Sequence, residues 1–297
     1  MTDEKYSFKK FSDKRESIVT TIDSNLKFPE SMERNSSKYF DEINEFFSIA
    51  LNSESSSSLL KEIRTTKYSS KKRMTFLKLF RRCVCPVLDT EKTKKIKSIP
   101  TKVLTDNYSG SFKEISVFKK QINGFQESEL SVLCSLLGEY DSRGTQGYEL
   151  TNIFFNWFKK TFKGEFEIDG PIGAGRDIEL GAIFSDFNDS FPCDFIIKDT
   201  ASGAVCCVGF ARYDSTRGGA QSDDRTGGNA NKVDKARKYQ NRSGNKFRIF
   251  FLTDGPGLTH KDTWEESCAL DELWDDNVRV CSIKTAELGL TKEWLRQ

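Results

Sequence analysis

The chain has 297 residues, which is enough for one large domain or two. Its formal net charge at pH 7 is +2, and it contains a single histidine, His260, just past a Gly-Pro-Gly turn. One histidine excludes metal sites built from several histidines and leaves Ser–His or Cys–His catalysis dependent on His260. Hydrolysis that uses carboxylates and Mg²⁺ needs no histidine, so the composition favours that class among hydrolases.

Cysteine usage and the lack of long apolar runs indicate a cytoplasmic protein with reduced thiols. Eight cysteines are present, none of them in a Cys-x-x-Cys pair, and nothing resembles a set of zinc ligands. The first residues contain no apolar segment of a signal peptide, and no run is long enough to span a membrane. We therefore expect a cytoplasmic location and no membrane partner.

Residues 1–125 are predicted to form a mostly helical, basic region. Apolar residues recur at steps of three and four between residues 36 and 51, which is typical of an amphipathic helix. Residues 61–102 hold 14 Lys or Arg against 3 acids, a net charge of +11, so the rest of the chain carries −9. This block suits contact with DNA phosphates, although a solvated basic helix is the alternative. Its candidate DNA-binding residues are Lys71, Lys72 and Arg73, with a second basic tract at 92–97.

A second domain is predicted over residues 126–297. It begins with a helix at 127–137, and a strongly amphipathic helix follows at 148–162. Further helices are expected at 229–241 and 263–274, and these alternate with apolar strands. The order of helices and strands predicts an α/β fold in which a mixed central β-sheet is flanked by helices.

Two short strands, 165–168 and 176–184, are expected to pair around the glycine-rich loop 170–175. Asp177 and Glu179 share one face of the second strand. Their carboxylates could bind a metal ion, or they could be charges that keep a sheet edge from pairing with another chain.

The most informative stretch is a predicted hairpin of apolar strands at 193–198 and 204–210, joined by the turn 199–203. It leads into a segment crowded with acids, bases and four glycines. The polar residues of this segment are Arg212, Asp214, Arg217, Gln221, Asp223, Asp224 and Arg225. A buried strand that ends in such a cluster is typical of a functional site, and a solvated turn is the alternative.

Asp194 and Arg212 suggest what chemistry this hairpin carries. Asp194 stands at the start of the first strand and Arg212 at the end of the second, so the hairpin brings them close. Mg²⁺ prefers carboxylates and water. A carboxylate that holds the ion and a cation that stabilises phosphate charge form a minimal site for phosphodiester cleavage. Asp214 could point the same way as Arg212, because residues i and i+2 share a strand face.

This hairpin resembles the PD-(D/E)XK nuclease superfamily, and specifically the type II restriction endonucleases. The Pro-Cys-Asp sequence that ends at Asp194 looks like the motif of the metal-binding aspartate, and the Phe-Ala-Arg triplet at 210–212 stands where (D/E)-x-Lys is expected. Phe210 thus occupies the position of the acid, and Arg212 replaces the lysine. Some of these enzymes carry the acid on the segment after the strand. The candidates here are Asp214, Asp223 and Asp224, and Gln221 matches a frequent companion glutamine.

The resemblance covers residues 147–288 and implies a restriction-endonuclease-like fold for this part of the chain. Glu149 matches a helical acid that the family often brings to its site, and an ordinary first-turn glutamate is the alternative. The Leu-Thr-Asp-Gly-Pro-Gly sequence after the strand at 246–253 also resembles what these enzymes have there. The N-terminal region lies outside the resemblance.

The resulting hypothesis is a Mg²⁺-dependent type II restriction endonuclease that cuts double-stranded DNA at a specific sequence. Asp194 would hold Mg²⁺ with another acid, and Arg212 would hold the scissile phosphate; being permanently charged, it cannot act as a base. The candidates for the other acid are Asp177, Glu179, Asp214, Asp223 and Asp224. Arg217, Gln221 and Arg225 would contact phosphate or order the loop.

A palindromic target would imply a homodimer, and a restriction enzyme implies a cognate DNA methyltransferase that acts on the same site. Two other hypotheses stay open. One is a DNA-binding or assembly protein with this fold and no cleavage, which the phenylalanine at position 210 favours. The other is a nuclease of the same superfamily that acts in repair or transposition.

Overall fold

The computed structural model describes residues 5–23, 26–142, 145–173, 175–216 and 220–297, and only the backbone at 140, 142 and 220–227. The chain forms two compact units. Residues 25–143 make one, which we call the helical unit. Residues 1–24 and 144–297 make the other, which we call the sheet unit.

These units divide the chain at places other than the boundary expected at 125/126. The helix that follows this boundary belongs to the helical unit, because Cys134 and Leu137 are buried in its core. The N-terminal segment instead joins the sheet unit. Phe8 and Ile18 are buried in the core there, and the Phe8 amide donates a 2.9 Å hydrogen bond to Asp271.

The helical unit contains seven helices among its described residues: α1 (Glu30–Leu51), α2 (Ser56–Ile63), α3 (Ser70–Cys83), α4 (Thr90–Thr93), α5 (Thr101–Tyr108), α6 (Ile115–Gly124) and α7 (Glu127–Ser142). The apolar stripe predicted for α1 is confirmed, since its members are buried and include Phe46, which packs beside Phe76 of α3. Side chains of Ser55, Ser69 and Asp89 cap α2, α3 and α4 by accepting hydrogen bonds from first-turn amides.

The sheet unit alternates strands and helices. Its elements are α8 (Thr145–Thr161), β1 (Phe166–Asp169), β2 (Ile178–Glu179), β3 (Pro192–Cys193), β4 (Phe195–Asp199), β5 (Val205–Tyr213), α9 (Ala220–Ser243), β6 (Arg248–Asp254), α10 (Lys261–Asp271), β7 (Val278–Cys281), α11 (Ala286–Gly289) and α12 (Lys292–Arg296). Short 3₁₀ segments connect several of them. All eight cysteines of the chain are free thiols.

Five strands form one mixed sheet in the order β1-β4-β5-β6-β7. The neighbours β1, β4 and β5 run antiparallel, whereas β5, β6 and β7 run parallel. The predicted hairpin is β4–β5, with Phe195 opposite Gly209. Helices α9 and α10 lie between the parallel strands in sequence, as parallel pairing requires a crossover connection. The expected mixed α/β architecture is therefore confirmed.

Alternation along the strands gives the sheet two apolar faces. On one, which we call the α9 face, Ile196 and Phe210 pack with Val233 and Ala236 of α9. On the other, the α8 face, strand residues such as Phe195 pack with side chains of α8, α11 and α12. The sheet is thus the middle layer of three.

One predicted pairing is wrong. Strands β1 and β2 do not pair with each other: β1 extends the sheet beside β4, and β2 pairs with β3 in a separate two-stranded ribbon. Phe166 and Ile168 of β1 are buried in the α8-face core, which fixes β1 at the sheet edge. Gly170 then passes close to the carbonyl of Asp194, where a Cβ atom would clash. No helix within the described ranges is long and apolar enough to cross a bilayer.

Candidate active site

Asp194 lies between β3 and β4, where the pairing of β4 with β5 begins. Its amide donates a 2.9 Å hydrogen bond to the Gly209 carbonyl, and its Oδ2 accepts a 2.7 Å hydrogen bond from the Ala211 amide. The side chain lies near α9, because the charge of Lys232 on that helix acts on its carboxyl. The end of the antiparallel ladder therefore fixes this carboxylate through the backbone of β5.

Partial burial raises the pKa of the Asp194 carboxyl above its ordinary value. The negative charge of Asp177 raises this pKa further, while the Ala211 amide and the positive charge of Lys232 oppose the shift. A cation bound at Asp194 would compensate the cost of keeping this carboxylate ionised.

Asp177 reaches the site through the β2–β3 ribbon, in which Ile178 is opposite Cys193. The residue before Ile178 thereby comes beside the residue after Cys193, which is Asp194. Asp177 is exposed, so its carboxylate is open to solvent. Of the two acids predicted on this segment, it is the one whose charge acts on Asp194.

Glu179, the second of these acids, holds the ribbon together. Its Oε2 accepts a 2.9 Å hydrogen bond from the Phe191 amide, and its Oε1 lies 3.4 Å from the Ser190 hydroxyl. Glu149 lies on α8, which covers the opposite face of the sheet from Asp194. We therefore leave Glu179 and Glu149 out of the site.

Lys232 completes the cluster, and the sequence interpretation did not include it. It lies on α9, whose Val233, Ala236 and Tyr239 pack on the α9 face. Its ammonium nitrogen lies 3.8 Å from the centroid of the Phe210 ring. Burial lowers the pKa of Lys232, and the charges of Asp194, Cys193 and Asp177 act in the opposite direction. The apolar steps of α9 are the sequence signal that could have placed Lys232 at the border of its buried face.

Phe210 occupies the strand position where the resemblance expects an acid. Its ring stacks on Phe251 with centroids 5.1 Å apart and contacts Phe191 at 5.8 Å. This side chain belongs to the apolar core and has no atom that binds a metal ion. What the position does provide is an aromatic surface for the Lys232 ammonium, a favourable cation–π contact.

Arg212 and Asp214 form an ion pair at the end of β5. The Arg212 Nε donates to the Asp214 Oδ1 at 2.7 Å, and the Asp214 side chain is only 5% exposed. The Arg212 Nη2 is buried with no hydrogen-bond partner in the described part of the chain. The charges that act on the pKa of the Asp194 carboxyl are those of Asp177 and Lys232. The structure therefore does not join the predicted metal ligand Asp214 to Asp194, and it places Arg212 beside an acid of its own.

Several predicted residues lie outside what the structure describes. Arg217 is not described. The backbones of Gln221, Asp223, Asp224 and Arg225 belong to the first turns of α9, but their side chains lie outside the described set. Their proposed contacts with metal and phosphate stay predictions.

The predicted DNA-binding tract lies at the start of α3 in the helical unit, and its three members differ. Lys72 pairs with Glu45, and Arg73 donates to the Tyr68 carbonyl. Lys71 is exposed and makes no ion pair with a described residue. Of the three, only Lys72 is paired with an acid among the described residues, and Lys71 is the exposed one.

Asp177 and Asp194 could bind a Mg²⁺ ion that keeps most of its water ligands. Within the described ranges, no three His, Cys, Asp or Glu side chains converge as a metal site. Mg²⁺ does not need such a cage, because it binds proteins through one or two carboxylates and keeps several waters. One exposed and one half-buried carboxylate meet that requirement. No protein-family model, curated protein or solved structure matches the chain.

Proposed function

We propose that this chain is a Mg²⁺-dependent endonuclease that hydrolyses phosphodiester bonds of double-stranded DNA. The observation that carries the proposal is that the β2–β3 ribbon brings Asp177 beside Asp194, and that the ammonium of Lys232, which lies over Phe210, acts on both carboxylates. Two carboxylates can hold a metal ion, and an ammonium can neutralise charge that develops on the phosphate, so this group can support metal-assisted phosphate cleavage. The sheet unit would then be a restriction-endonuclease-like catalytic domain.

Asp194 and Asp177 would hold the ion. The Oδ2 of Asp194 accepts the Ala211 amide, which leaves its Oδ1 as the ligand oxygen. The chemistry supplied by bound Mg²⁺ is polarisation of the scissile phosphate and a lower pKa for the attacking water. The hydrogen bond from Ala211 keeps the carboxylate in a fixed orientation, so little reorganisation is needed when substrate binds.

Lys232 takes the part that the superfamily pattern gives to the lysine of the strand triplet. Its ammonium neutralises charge that develops on the phosphate oxygens. Because burial lowers the pKa of Lys232, its Nζ gives up a proton more readily than an exposed lysine and suits transfer to the leaving oxygen. The lysine is thus supplied by α9, and Phe210 supports it from β5.

Arg212 has a different part from the one suggested by its position in the triplet. It is permanently charged, so it binds phosphate and does not transfer protons. Asp214 fixes the guanidinium through Nε, and the guanidinium would bind a phosphate of the DNA strand. Cleavage of a palindromic site by a homodimer, with a cognate methyltransferase protecting the same sequence, completes the type II restriction hypothesis.

A DNA-binding or assembly protein that does not cleave is the second candidate function. The observation in its favour is that Phe210 supplies no metal ligand at the strand position. Such a protein would bind DNA equally with and without Asp194, whereas a nuclease requires this carboxylate for cutting.

The test is incubation of the full chain with unmethylated phage DNA, with Mg²⁺ or with EDTA. Discrete Mg²⁺-dependent fragments, absent from the Asp194→Ala variant, are the expected result. A smear would keep the nuclease and favour repair or transposition over restriction. Absence of cutting with several divalent ions on several DNAs would overturn the proposal and favour the binding protein.

A further inference from the structure

The helical unit carries a basic cleft, which is separate from the acid pair. It has a volume of about 560 Å³ and is lined by residues of α1, α3, α7 and the segment that directly follows α4. Six of the lining side chains are cationic: Lys38, Lys71, Arg73, Lys78, Lys94 and Lys95. The only acid among the described lining residues is Asp141, so the cleft carries a net charge of +5.

Asp141 is already engaged by the cleft's own side chains. Lys38 and Tyr39 donate hydrogen bonds to its Oδ2, and the Lys78 ammonium lies 3.8 Å from Oδ1. Partial burial would raise the pKa of Asp141, but these hydrogen bonds and the charges of Lys38 and Lys78 hold it below its ordinary value. Asp141 thus stays ionised and orders one wall of the cleft. Of the other lining cations, Lys94 pairs with Glu91, and Lys71, Arg73 and Lys95 make no ion pair with a described residue.

Four cations of this cleft are exposed: Lys38, Lys71, Lys94 and Lys95. Lys38 pairs with Asp141 and Lys94 with Glu91, whereas Lys71 and Lys95 make no ion pair with a described residue. Ser70 and Lys71 belong to the first turn of α3, a helix of 14 residues whose N-terminal dipole also favours an anion. Like charges gathered in one cleft repel one another and lower stability, and a bound polyanion relieves that repulsion.

The surroundings of the cleft favour a long phosphate backbone over a small nucleotide. Exposed lysines of the basic segment 61–102 also lie outside the cleft, among them Lys61, Lys97 and Lys102, so positive charge is not confined to a pocket for a small anion. The aromatic lining residue is Tyr39, which is only 4% exposed and offers no surface on which a base could stack. Phosphate contacts without stacking are the pattern of sequence-independent backbone binding.

We propose that this cleft binds the phosphodiester backbone of duplex DNA through Lys71 and Lys95, without reading the base sequence. Lys72, between two cleft residues in sequence, takes no part because it pairs with Glu45 and lies over the Phe76 ring. The inference concerns binding alone and does not depend on whether the acid pair cuts DNA.

The test measures binding of the full chain to a short labelled DNA duplex in EDTA at several salt concentrations. In Lys71→Ala/Lys95→Ala, the slope of log affinity against log salt falls in magnitude by roughly two, and affinity at about 0.1 M salt falls more than roughly tenfold. Lys71→Arg/Lys95→Arg keeps the wild-type slope. The matched control is Lys120→Ala/Lys160→Ala, which removes two exposed lysines outside both the cleft and the segment 61–102 and keeps the wild-type slope.

Two results would overturn the inference. If both alanine pairs weaken binding equally, the affinity comes from diffuse charge and not from the cleft. If inorganic triphosphate binds the chain and the duplex does not, the cleft is a site for small anions. Because EDTA removes divalent metal ions, this binding measurement does not depend on whether the sheet unit cleaves DNA.

Discussion

The ammonium of Lys232 lies over the ring of Phe210, 3.8 Å from its centroid, in a cluster with Asp194 and Asp177. A contact of this kind is worth about 0.5–2 kcal/mol and offsets part of the cost of burying the lysine. Phe210, which stands where the resemblance expects an acid on β5, therefore also positions the ammonium of Lys232. In a site of the (D/E)-x-Lys pattern, the acid and the lysine lie on one strand. Here the lysine lies on α9 and contacts Phe210 of β5.

Because the pKa of Asp194 is raised in the folded protein, ionisation of its carboxyl lowers the free energy of unfolding. A carboxyl whose pKa is higher in the folded than in the unfolded state binds its proton more tightly when folded, so stability falls as pH rises through that window. Asp194→Asn removes the charge and keeps an acceptor for the Ala211 amide. We expect it to melt roughly 1–3 °C higher than wild type at pH 7 in EDTA. The difference should vanish below about pH 4.

The control for this measurement is Asp189→Asn, which changes an exposed aspartate and should leave the melting temperature unchanged. Calorimetry across the pH range gives the comparison. A lower melting temperature for Asp194→Asn at pH 7 would show that the ionised carboxylate stabilises the folded protein, which is the opposite of what its raised pKa implies.

The Arg212–Asp214 pair should behave as a buried ion pair. Asp214→Ala leaves the partly buried guanidinium without its 2.7 Å partner and should cost about 2–4 kcal/mol of unfolding free energy. Arg212→Met/Asp214→Ala removes both charges and should cost less than Asp214→Ala alone. Urea denaturation of the two variants tests this, and a double variant less stable than the single one would refute the pairing.

Gly255 packs closely against the backbone of Asp214, so a substitution there should displace the Arg212–Asp214 ion pair. Its φ of 101° favours glycine, and an added Cβ atom would clash with the Asp214 carbonyl. Gly255→Ala should therefore cost about 2–4 kcal/mol, through backbone strain and displacement of Asp214. Gly244 has a φ of 77° and open space around the Cβ position, so Gly244→Ala should cost only about 1 kcal/mol. Equal losses in urea denaturation would remove the clash as an explanation.

The features that the sequence predicted correctly are those that depend on neighbouring residues along the chain. Two apolar runs around a glycine-containing turn predicted the β4–β5 hairpin, and the spacing of apolar residues predicted the buried stripe of α1. Asp194 was found because it precedes a buried strand. The partners of Asp194 depend on longer-range packing: Asp177 comes close only because β2 pairs with β3 and not with β1.

Lys232 and Glu149 show why the rest of the site was not predicted. Both lie on helices, and whether a helical residue reaches a strand end depends on the side of the sheet that its helix covers. Helix α9 packs on the face of Phe210, and α8 packs on the opposite face. No periodicity within either helix determines that choice. The predicted acid therefore lies away from Asp194, while an unpredicted lysine lies near it.

The most direct test of the central claim is the single-turnover rate of Mg²⁺-dependent DNA cleavage by Lys232→Met. Methionine keeps an apolar chain against Phe210 and removes the charge, so the fold should be retained. We expect the rate to fall roughly 100- to 1,000-fold. The acid limb of the pH–rate profile should move to higher pH, because the charge of Lys232 lowers the pKa of Asp194. The matched control is Lys238→Met, an exposed lysine of the same helix, which should cut like wild type. Cleavage by Lys232→Met at the wild-type rate would contradict the assignment of Lys232 and the site built around it.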